Sequence, residues 1–219
     1  MGLDQTILTK LLQVAGFRIT QRTLPRLQRG SILRSPYESE IRSVYGTLGG
    51  HGDGLEFRLG EWDIEVDGVA LEFDEFLHFN RYRLMTLESK IYEALHAFPH
   101  RMYKNYCEQY EARCVKAGSF GARWSSTSAE RQFGTSGPPR VLEGSGSARW
   151  RQRAFYDFLK DLTPLVFHVP LVRLAVWDSV VIKGRRVQLA DVRGPDAADA
   201  LECILRLIEA RRLLTDRGE

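Results

Sequence analysis

The chain has 219 residues, of which 43% are hydrophobic and 27% charged, and a formal net charge of +3. These values are ordinary for a soluble globular protein with one domain and a sizeable core. No apolar run approaches the roughly 18 residues of a membrane span, the N-terminus has no signal-peptide pattern, and three cysteines give no disulfide framework. We therefore expect a cytoplasmic protein without a membrane partner.

Charge is distributed unevenly along the chain. The net charge is +5 over residues 1–35, −8 over 53–75 and +4 over 118–155. An acidic centre between basic segments fits a metal-dependent enzyme that acts on a polyanion such as nucleic acid. Ordinary charge fluctuation on a soluble surface explains the same pattern equally well, so the chemistry has to be argued from motifs.

The N-terminal part of the chain predicts two helices and a strand. Apolar residues on one face predict a helix over 4–15. Residues 17–34 are basic and irregular, which indicates an arm or a short helix. Residues 35–38 (Ser-Pro-Tyr-Glu) form a capping-box sequence with proline at the first helical position, and they predict a helix that ends near Leu48. A first strand is predicted over 55–59.

The strongest local signal is a β-hairpin over residues 61–75. Its two strands are joined by Asp-Gly at positions 67 and 68, a dipeptide that favours a two-residue hairpin turn. The resulting register pairs apolar residues on one face and acidic residues on the other. The predicted pairs are Val66–Val69, Ile64–Leu71 and Trp62–Phe73, then Asp63–Glu72 and Glu61–Asp74. Because directly opposed carboxylates repel, something must offset the repulsion, and a divalent cation is the simplest candidate.

Helices dominate the rest of the chain. Periodicity predicts helices over 80–98, 101–116, 148–162 and 196–214, and strands over 171–177, 179–183 and 186–190. Residues 117–147 are rich in Gly, Ser and Pro and predict a long flexible loop. This order of elements predicts a mixed α/β or α+β layer fold.

Two hairpin carboxylates are the candidate metal ligands. In the predicted register the Cβ atoms of Asp63 and Glu72 lie about 4.5–5.5 Å apart, and two carboxylates at that separation can hold Mg²⁺. Asp74 points to the same face, and His78 could reach the same edge as a general base. The alternative is a solvated acidic face, with the histidine bonded to backbone.

Asp63 followed by Glu72-Phe73-Asp74-x-x-x-His78 resembles the core motif of the PD-(D/E)XK nucleases. The branch that it resembles most is that of the very-short-patch repair endonuclease and related uncharacterised endonuclease-like domains. That branch has Asp on one strand and Glu-hydrophobic-Asp-Gly-x-x-His on the next. The resemblance implies Mg²⁺ chemistry on phosphodiester bonds.

Two departures separate the chain from that pattern. Glu75 stands where the branch has glycine, and Asp74 occupies the place of the lysine that the wider family uses. Loss of the lysine fits the histidine-using branch, and it also fits an inactive relative.

The resemblance implies one domain over 1–219 with a restriction-endonuclease-like core, in which a mixed central sheet is flanked by helices. It covers roughly residues 35–100 and 165–214. Two segments would be additions to that core: the basic N-terminal helix and arm at 1–34, and a helical insertion at 101–164 that contains a flexible basic loop at about 117–147.

Side chains outside the hairpin complete the predicted site. The resemblance places Glu40 where the branch has an acidic residue on a helix before the strands, and Arg81 and Arg83 at a basic helix start that would contact phosphate. Trp124 and Trp150 are available for stacking of bases, although burial at the ends of the loop explains them as well. Further candidate contacts to a phosphate backbone are Arg123, Arg149 and Arg151.

The sequence therefore predicts a Mg²⁺-dependent nuclease, with Mn²⁺ as a substitute, that acts on DNA rather than RNA. Asp63 and Glu72 would hold the metal, Glu40 and Asp74 would assist, and His78 would act as base or phosphate contact. The alternative is a nuclease-like scaffold that has lost catalysis and binds nucleic acid or a partner protein in a defence or repair assembly. Two further partners stay open: a protein bound through the predicted loop, and a second copy of the chain in a homodimer.

Overall fold

The predicted hairpin forms the centre of a four-stranded mixed sheet in the computed structural model, which describes residues 3–213. β1 pairs antiparallel with β2, β2 pairs antiparallel with β3, and β3 runs parallel to β4. A second, two-stranded sheet pairs β5 with β6. The strands are β1 (Ile19–Thr20), β2 (Ile64–Val66), β3 (Val69–Asp74), β4 (Leu171–Ala175), β5 (Ser179–Ile182) and β6 (Arg185–Gln188).

Helices flank these sheets, so the predicted α+β class with a mixed central sheet is confirmed. They are α1 (Gln5–Val14), α2 (Arg29–Leu33), α3 (Glu38–Thr47), α4 (Arg81–Thr86), α5 (His100–Gly118), α6 (Thr127–Phe133), α7 (Ala148–Asp161), α8 (Thr163–Phe167) and α9 (Gly194–Leu213). Short 3-10 helices lie at Phe76–His78, Lys90–Glu93, Gly121–Arg123 and Leu189–Asp191. Residue 214, the predicted end of the last helix, lies outside the described residues. Within residues 3–213, none of the helices is both long and apolar enough to cross a membrane.

The hairpin keeps its predicted register as far as Ile64. Ile64 pairs with Leu71, and Val66 pairs with Val69. Asp67 and Gly68 have φ values of 47° and 80°, the left-handed conformation that a two-residue type I′ turn requires.

A bend at Asp63 ends the strand there, and the two pairs predicted beyond it are wrong. Trp62 packs against Ala70 and Leu171 in a small cluster on the other face of the sheet, whereas Phe73 belongs to the main core. Glu61 is on the surface, where it forms an ion pair with Arg22, so it does not face Asp74.

The segment before the hairpin also differs from its prediction. The helix predicted from a capping box at residue 35 begins at Glu38, because the Ser35 hydroxyl accepts from the Tyr37 amide at 3.3 Å and Glu38 forms an ion pair with Arg42. Residues 55–59 are not a strand. The edge of β2 that they would occupy is taken by β1, which comes from the basic arm predicted to be irregular.

The predicted flexible loop at 117–147 is an ordered segment that contains the end of α5 and all of α6. The Trp124 indole donates to the Gly137 carbonyl at 2.9 Å, and the Ser147 hydroxyl donates back to the Trp124 carbonyl at 2.5 Å. The Gly137 amide donates to the Gly146 carbonyl at 2.7 Å. The prediction of a flexible loop was wrong because Trp124, Phe133 and Leu142 are buried in the main core and these hydrogen bonds join the backbone around them. A protein partner for this segment stays a prediction.

Candidate active site

The bend at Asp63 places the Asp63 and Glu72 side chains beside each other at the open end of the hairpin. The Asp63 amide donates to Glu72 Oε1 at 3.3 Å, and the Phe73 amide donates to Asp63 Oδ2 at 2.9 Å. The second oxygen of each carboxylate, Asp63 Oδ1 and Glu72 Oε2, accepts no hydrogen bond from residues 3–213. The structure therefore brings together the two predicted metal ligands and leaves one oxygen of each for another partner.

These carboxylates line a cleft of about 340 Å³ between the hairpin and α7. One face of α7 forms the opposite wall, because residues spaced four and three apart lie on the same side of a helix. The residues that α7 contributes are Arg149, Arg153, Tyr156, Asp157 and Lys160. His78, from the 3-10 helix after β3, completes the lining together with Leu59 and Gly60.

Lys160 supplies a positive charge that the sequence analysis missed. Its Nζ donates to Glu72 Oε1 at 2.6 Å and to the Glu61 carbonyl at 3.1 Å, and it lies over the Trp62 ring. The ammonium group thus offsets the repulsion between the acidic side chains. The only sequence signal was the basic, periodic helix at 148–162, which does not indicate where that helix docks.

The environment of Glu72 raises its pKa to about 7. Burial is the largest cause, and the neighbouring Asp63 adds to it, while Lys160 and Arg173 act in the opposite direction. The carboxyl is only 3% exposed. A carboxyl group with a pKa of about 7 is half ionised near neutral pH, and a cation in the cleft would favour its charged form.

His78 is held by two carboxylates. Its Nδ1 lies 2.8 Å from Asp157 Oδ2 and 3.3 Å from Asp74 Oδ1. The imidazole therefore reaches the cleft of the hairpin acids, as predicted, and is not bonded to backbone through Nδ1. Carboxylates in this position orient an imidazole.

Asp74 does not point into the cleft, so its predicted place beside the metal ligands is corrected. Its side chain is 1% exposed and accepts from Arg173 Nη1 and the Tyr103 hydroxyl, both at 2.6 Å. Burial alone would raise the pKa of Asp74, but the charges of Arg173 and His78 outweigh it and lower the pKa. Asp74 can therefore affect the site indirectly, through His78 and Arg173.

Asp74, His78 and Asp157 lie close enough together to suit a metal ion, since their ligand atoms are within 4.8 Å of one another. Arg173 already occupies that position, with Nη1 at 2.6 Å from Asp74 and Nη2 at 3.6 Å from Asp157. A further cation beside a buried guanidinium would be repelled. We therefore interpret the cluster as an ion-pair network that supports His78.

Glu40 lies apart from the cleft. Its Oε1 accepts from the Ser89 hydroxyl at 2.6 Å and from the Lys90 amide at 3.3 Å. These contacts hold the start of the 3-10 helix at Lys90–Glu93, so the predicted role of Glu40 beside the metal is corrected to a structural one.

Two of the predicted phosphate contacts are tied into ion pairs. Arg81 contacts Glu111 at 2.8 Å and Glu143 at 3.0 Å. Arg83 is 1% exposed and contacts Asp161 at 2.7 Å, so it cannot reach a phosphate without unfolding its surroundings. The local sequence shows that these residues are charged, but it does not indicate that their side chains are buried or ion-paired.

The remaining predicted contacts are divided between surface, core and cleft. Arg123 is exposed and donates to the Ala117 carbonyl, and Arg151 packs over the Tyr82 ring, outside the residues that line the cleft. Trp124 and Trp150 are buried edge-to-face, 5.2 Å apart, and so cannot stack on bases.

Arg149 does line the cleft, together with Arg153 from the same basic segment. Neither guanidinium forms an ion pair with a carboxylate among residues 3–213. Burial and the neighbouring Arg153 lower the pKa of Arg149, as expected for like charges placed side by side. This pair is suited to binding an anion.

Comparison with known proteins gives one match. The family of unknown function DUF7255 matches residues 43–192, more than half of the chain, and this range contains all the residues that line the cleft. No curated protein and no solved structure matches the chain. The chain belongs to the DUF7255 family.

Proposed function

We propose that the protein is a Mg²⁺-dependent nuclease that hydrolyses phosphodiester bonds in nucleic acid, DNA rather than RNA, with Mn²⁺ as a substitute. One observation carries the proposal: the cleft joins two adjacent carboxylates to a lysine and to two arginines without carboxylate partners in the described chain. Acids that can hold a hard cation and bases that can hold a phosphate are the parts that phosphodiester hydrolysis needs. The resemblance to the PD-(D/E)XK nucleases supports the same chemistry.

The donor set of the cleft fits Mg²⁺. Asp63 Oδ1 and Glu72 Oε2 are hard oxygen donors without hydrogen bonds from residues 3–213, and Mg²⁺ is commonly held by one or two carboxylates plus water and phosphate oxygens. Asp63 and Glu72 would hold the ion. When bound, Mg²⁺ would lower the pKa of water and polarise the phosphoryl oxygen.

The protein side chains would orient the substrate and move the proton. Arg149 and Arg153 would bind phosphate oxygens across the cleft from the acids. Lys160 would stabilise negative charge that develops beside Glu72, which it contacts at 2.6 Å. With Nδ1 held by Asp157, His78 has Nε2 left to accept or donate a proton.

Cleavage of labelled DNA tests the proposal. Glu72→Gln and Asp63→Asn should each slow cleavage in Mg²⁺ or Mn²⁺ by about a hundredfold or more, the size of effect seen when one group that stabilises a transition state is removed. Glu61→Gln is the matched control, since it removes a neighbouring charge that pairs with Arg22 on the surface. Cleavage by Glu72→Gln at the wild-type rate, or none by the wild-type protein with either metal, would contradict the proposal.

A second candidate function is a scaffold that binds nucleic acid without cutting it. It is favoured by the Lys160–Glu72 ion pair, which balances the charge of Glu72 without a metal. Titration with Mn²⁺, followed by electron paramagnetic resonance, separates the two candidates. A nuclease should bind Mn²⁺ and lose that binding in Asp63→Asn, whereas a scaffold should show the same weak binding in both proteins.

A further inference from the structure

A second polar cavity of about 700 Å³ lies next to the cleft. Tyr156 lines both, so the two recesses share a wall on α7. The cavity is within the range of about 300–1,000 Å³ that is typical of small-molecule sites. The lining residues that matter here are His51, Phe57, Arg58, Arg131, Gln132 and Tyr156.

A chain of hydrogen bonds also connects the cleft to the cavity. Arg149, in the cleft, donates to Gln152 Oε1, and Gln152 Nε2 donates to Gln132 Oε1 at 2.8 Å. Gln132 Nε2 then donates to the Glu56 carbonyl at 2.6 Å. Because Gln152 is only 3% exposed, its amide fixes both neighbours, and the cleft and the cavity form one preorganised surface.

The cavity carries an excess of positive charge. Arg29 is matched by Asp53 at 3.6 Å, and Glu56 is the other acid in the lining. Arg58 and Arg131 are exposed and form no ion pair within the described part of the chain. These two guanidiniums are the free cations of the cavity, and an anionic group would satisfy them.

The walls of the cavity also offer aromatic surface. Phe57 and Tyr156 are half-buried, with ring centroids 6.5 Å apart and planes at 61°. Side chains of this kind stack on nucleobases without selecting a particular base.

We propose that the cavity holds an unpaired nucleotide next to the phosphodiester in the cleft. Its substrate class is therefore single-stranded nucleic acid, or a strand with unpaired nucleotides. A base in a duplex is stacked and paired, and it would have to leave the helix to enter a recess of this kind. This inference rests on the proposed function, because it takes the cleft as the place of the phosphodiester.

Fluorescence anisotropy in EDTA tests the inference without any hydrolysis. The probes are a labelled 12-nucleotide single strand and a 12-base-pair duplex that contains it. Wild type should bind the single strand about tenfold more tightly, because stacking contributes with the unpaired base only. The double variant Arg58→Ala/Arg131→Ala should lose this preference, because without the two guanidiniums the phosphate of the unpaired nucleotide is no longer held at the cavity. For this variant, the slope of the logarithm of the single-strand binding constant against the logarithm of the salt concentration should be less steep by about 1.4, since each lost phosphate contact accounts for about 0.7.

Arg185→Ala/Arg186→Ala is the matched control. It removes two exposed arginines of β6 that line neither recess, so its affinity and salt slope should equal those of wild type. Equal binding of strand and duplex by wild type, or equal losses in the two double variants, would overturn the inference. If the wild-type protein binds the single strand selectively but cuts no DNA with Mg²⁺ or Mn²⁺, the binding of an unpaired nucleotide in the cavity is supported and the proposed nuclease activity is contradicted.

Discussion

At the scale of single residues, the candidate site depends on a lysine from a distant part of the sequence. Lys160 lies 88 positions after Glu72, and its side chain is 13% exposed. Its ammonium contacts the Glu72 carboxylate, which we propose as a metal ligand, and lies over the Trp62 ring. The lysine therefore stabilises the ionised form of Glu72, and in the proposed reaction it would also stabilise the negative charge that develops on the phosphate.

Replacement of Lys160 by Met should abolish most cleavage while the protein stays folded. Met keeps an unbranched side chain of similar length and removes the charge, so we expect the single-turnover rate to fall by about a hundredfold. Lys104→Met, which breaks a surface ion pair with Glu88, is the control and should cleave like wild type. Single-turnover assays with labelled DNA and a thermal melt measure both properties. A single-turnover rate of Lys160→Met equal to that of wild type would show that the lysine does not contribute to cleavage.

Sequence could predict the hairpin acids because their positions follow from a local turn. Once Asp-Gly fixes the register, Asp63 and Glu72 have to be neighbours, and His78 follows within one short segment. Lys160 and Arg153 could not be placed in this way. Their positions depend on how α7 docks, and that depends on packing between parts of the chain that are far apart in sequence.

At the scale of elements, the basic N-terminal arm is part of the sheet. β1 pairs with β2, and the Glu65 carboxylate binds the residues that follow β1. Glu65 Oε2 accepts from the Thr23 amide at 2.8 Å, the Thr23 hydroxyl at 2.6 Å and the Leu24 amide at 3.2 Å. No alternation marks a two-residue strand in sequence, which is why the arm was predicted to be irregular. Residues 55–59 show the opposite error. Their apolar spacing predicted a strand, but Leu55 and Leu59 are buried in the main core and the segment does not pair with a strand.

Glu65→Gln should loosen the arm without unfolding the core. The amide loses the negative charge that strengthens the three hydrogen bonds, and bonds to a charged group contribute about 1.5–3 kcal/mol. Hydrogen exchange followed by mass spectrometry should show faster exchange over residues 17–27 and unchanged exchange in β3. Asp67→Asn is the control in the same hairpin, because asparagine tolerates the left-handed turn conformation. Identical exchange in Glu65→Gln and wild type would show that the carboxylate does not hold the arm.

At the scale of the whole molecule, a buried charge network joins the adjacent strands β3 and β4 to the helices α4 and α7. Three carboxylates, those of Asp74, Asp157 and Asp161, surround Arg173, and Arg83 pairs with Asp161. Asp74 and Arg83 were predicted to belong to the site because Asp74 shares a strand face with Glu72 and the family resemblance places Arg83 at a basic helix start. Burial could not be read from their local pattern, since their partners lie 78 and 99 positions away.

This network should make stability depend on pH through Asp157. Burial alone would raise the pKa of Asp157, but His78 and Arg173 outweigh it and hold the pKa well below its usual range. The folded protein therefore retains the charge at a pH where the unfolded chain, with a pKa near 3.9, binds a proton. The ionised group thus stabilises the fold above about pH 4, and its contribution is lost as the pH falls further.

Asp157→Asn should lower the free energy of unfolding in urea by about 3–5 kcal/mol at pH 7, because it leaves buried charges uncompensated. The difference from wild type should narrow between about pH 4 and pH 2. Glu88→Gln, on the surface, should change stability by less than about 0.5 kcal/mol at any pH. A deficit in Asp157→Asn that stays constant down to pH 2 would mean that packing, and not charge, is what the substitution removes.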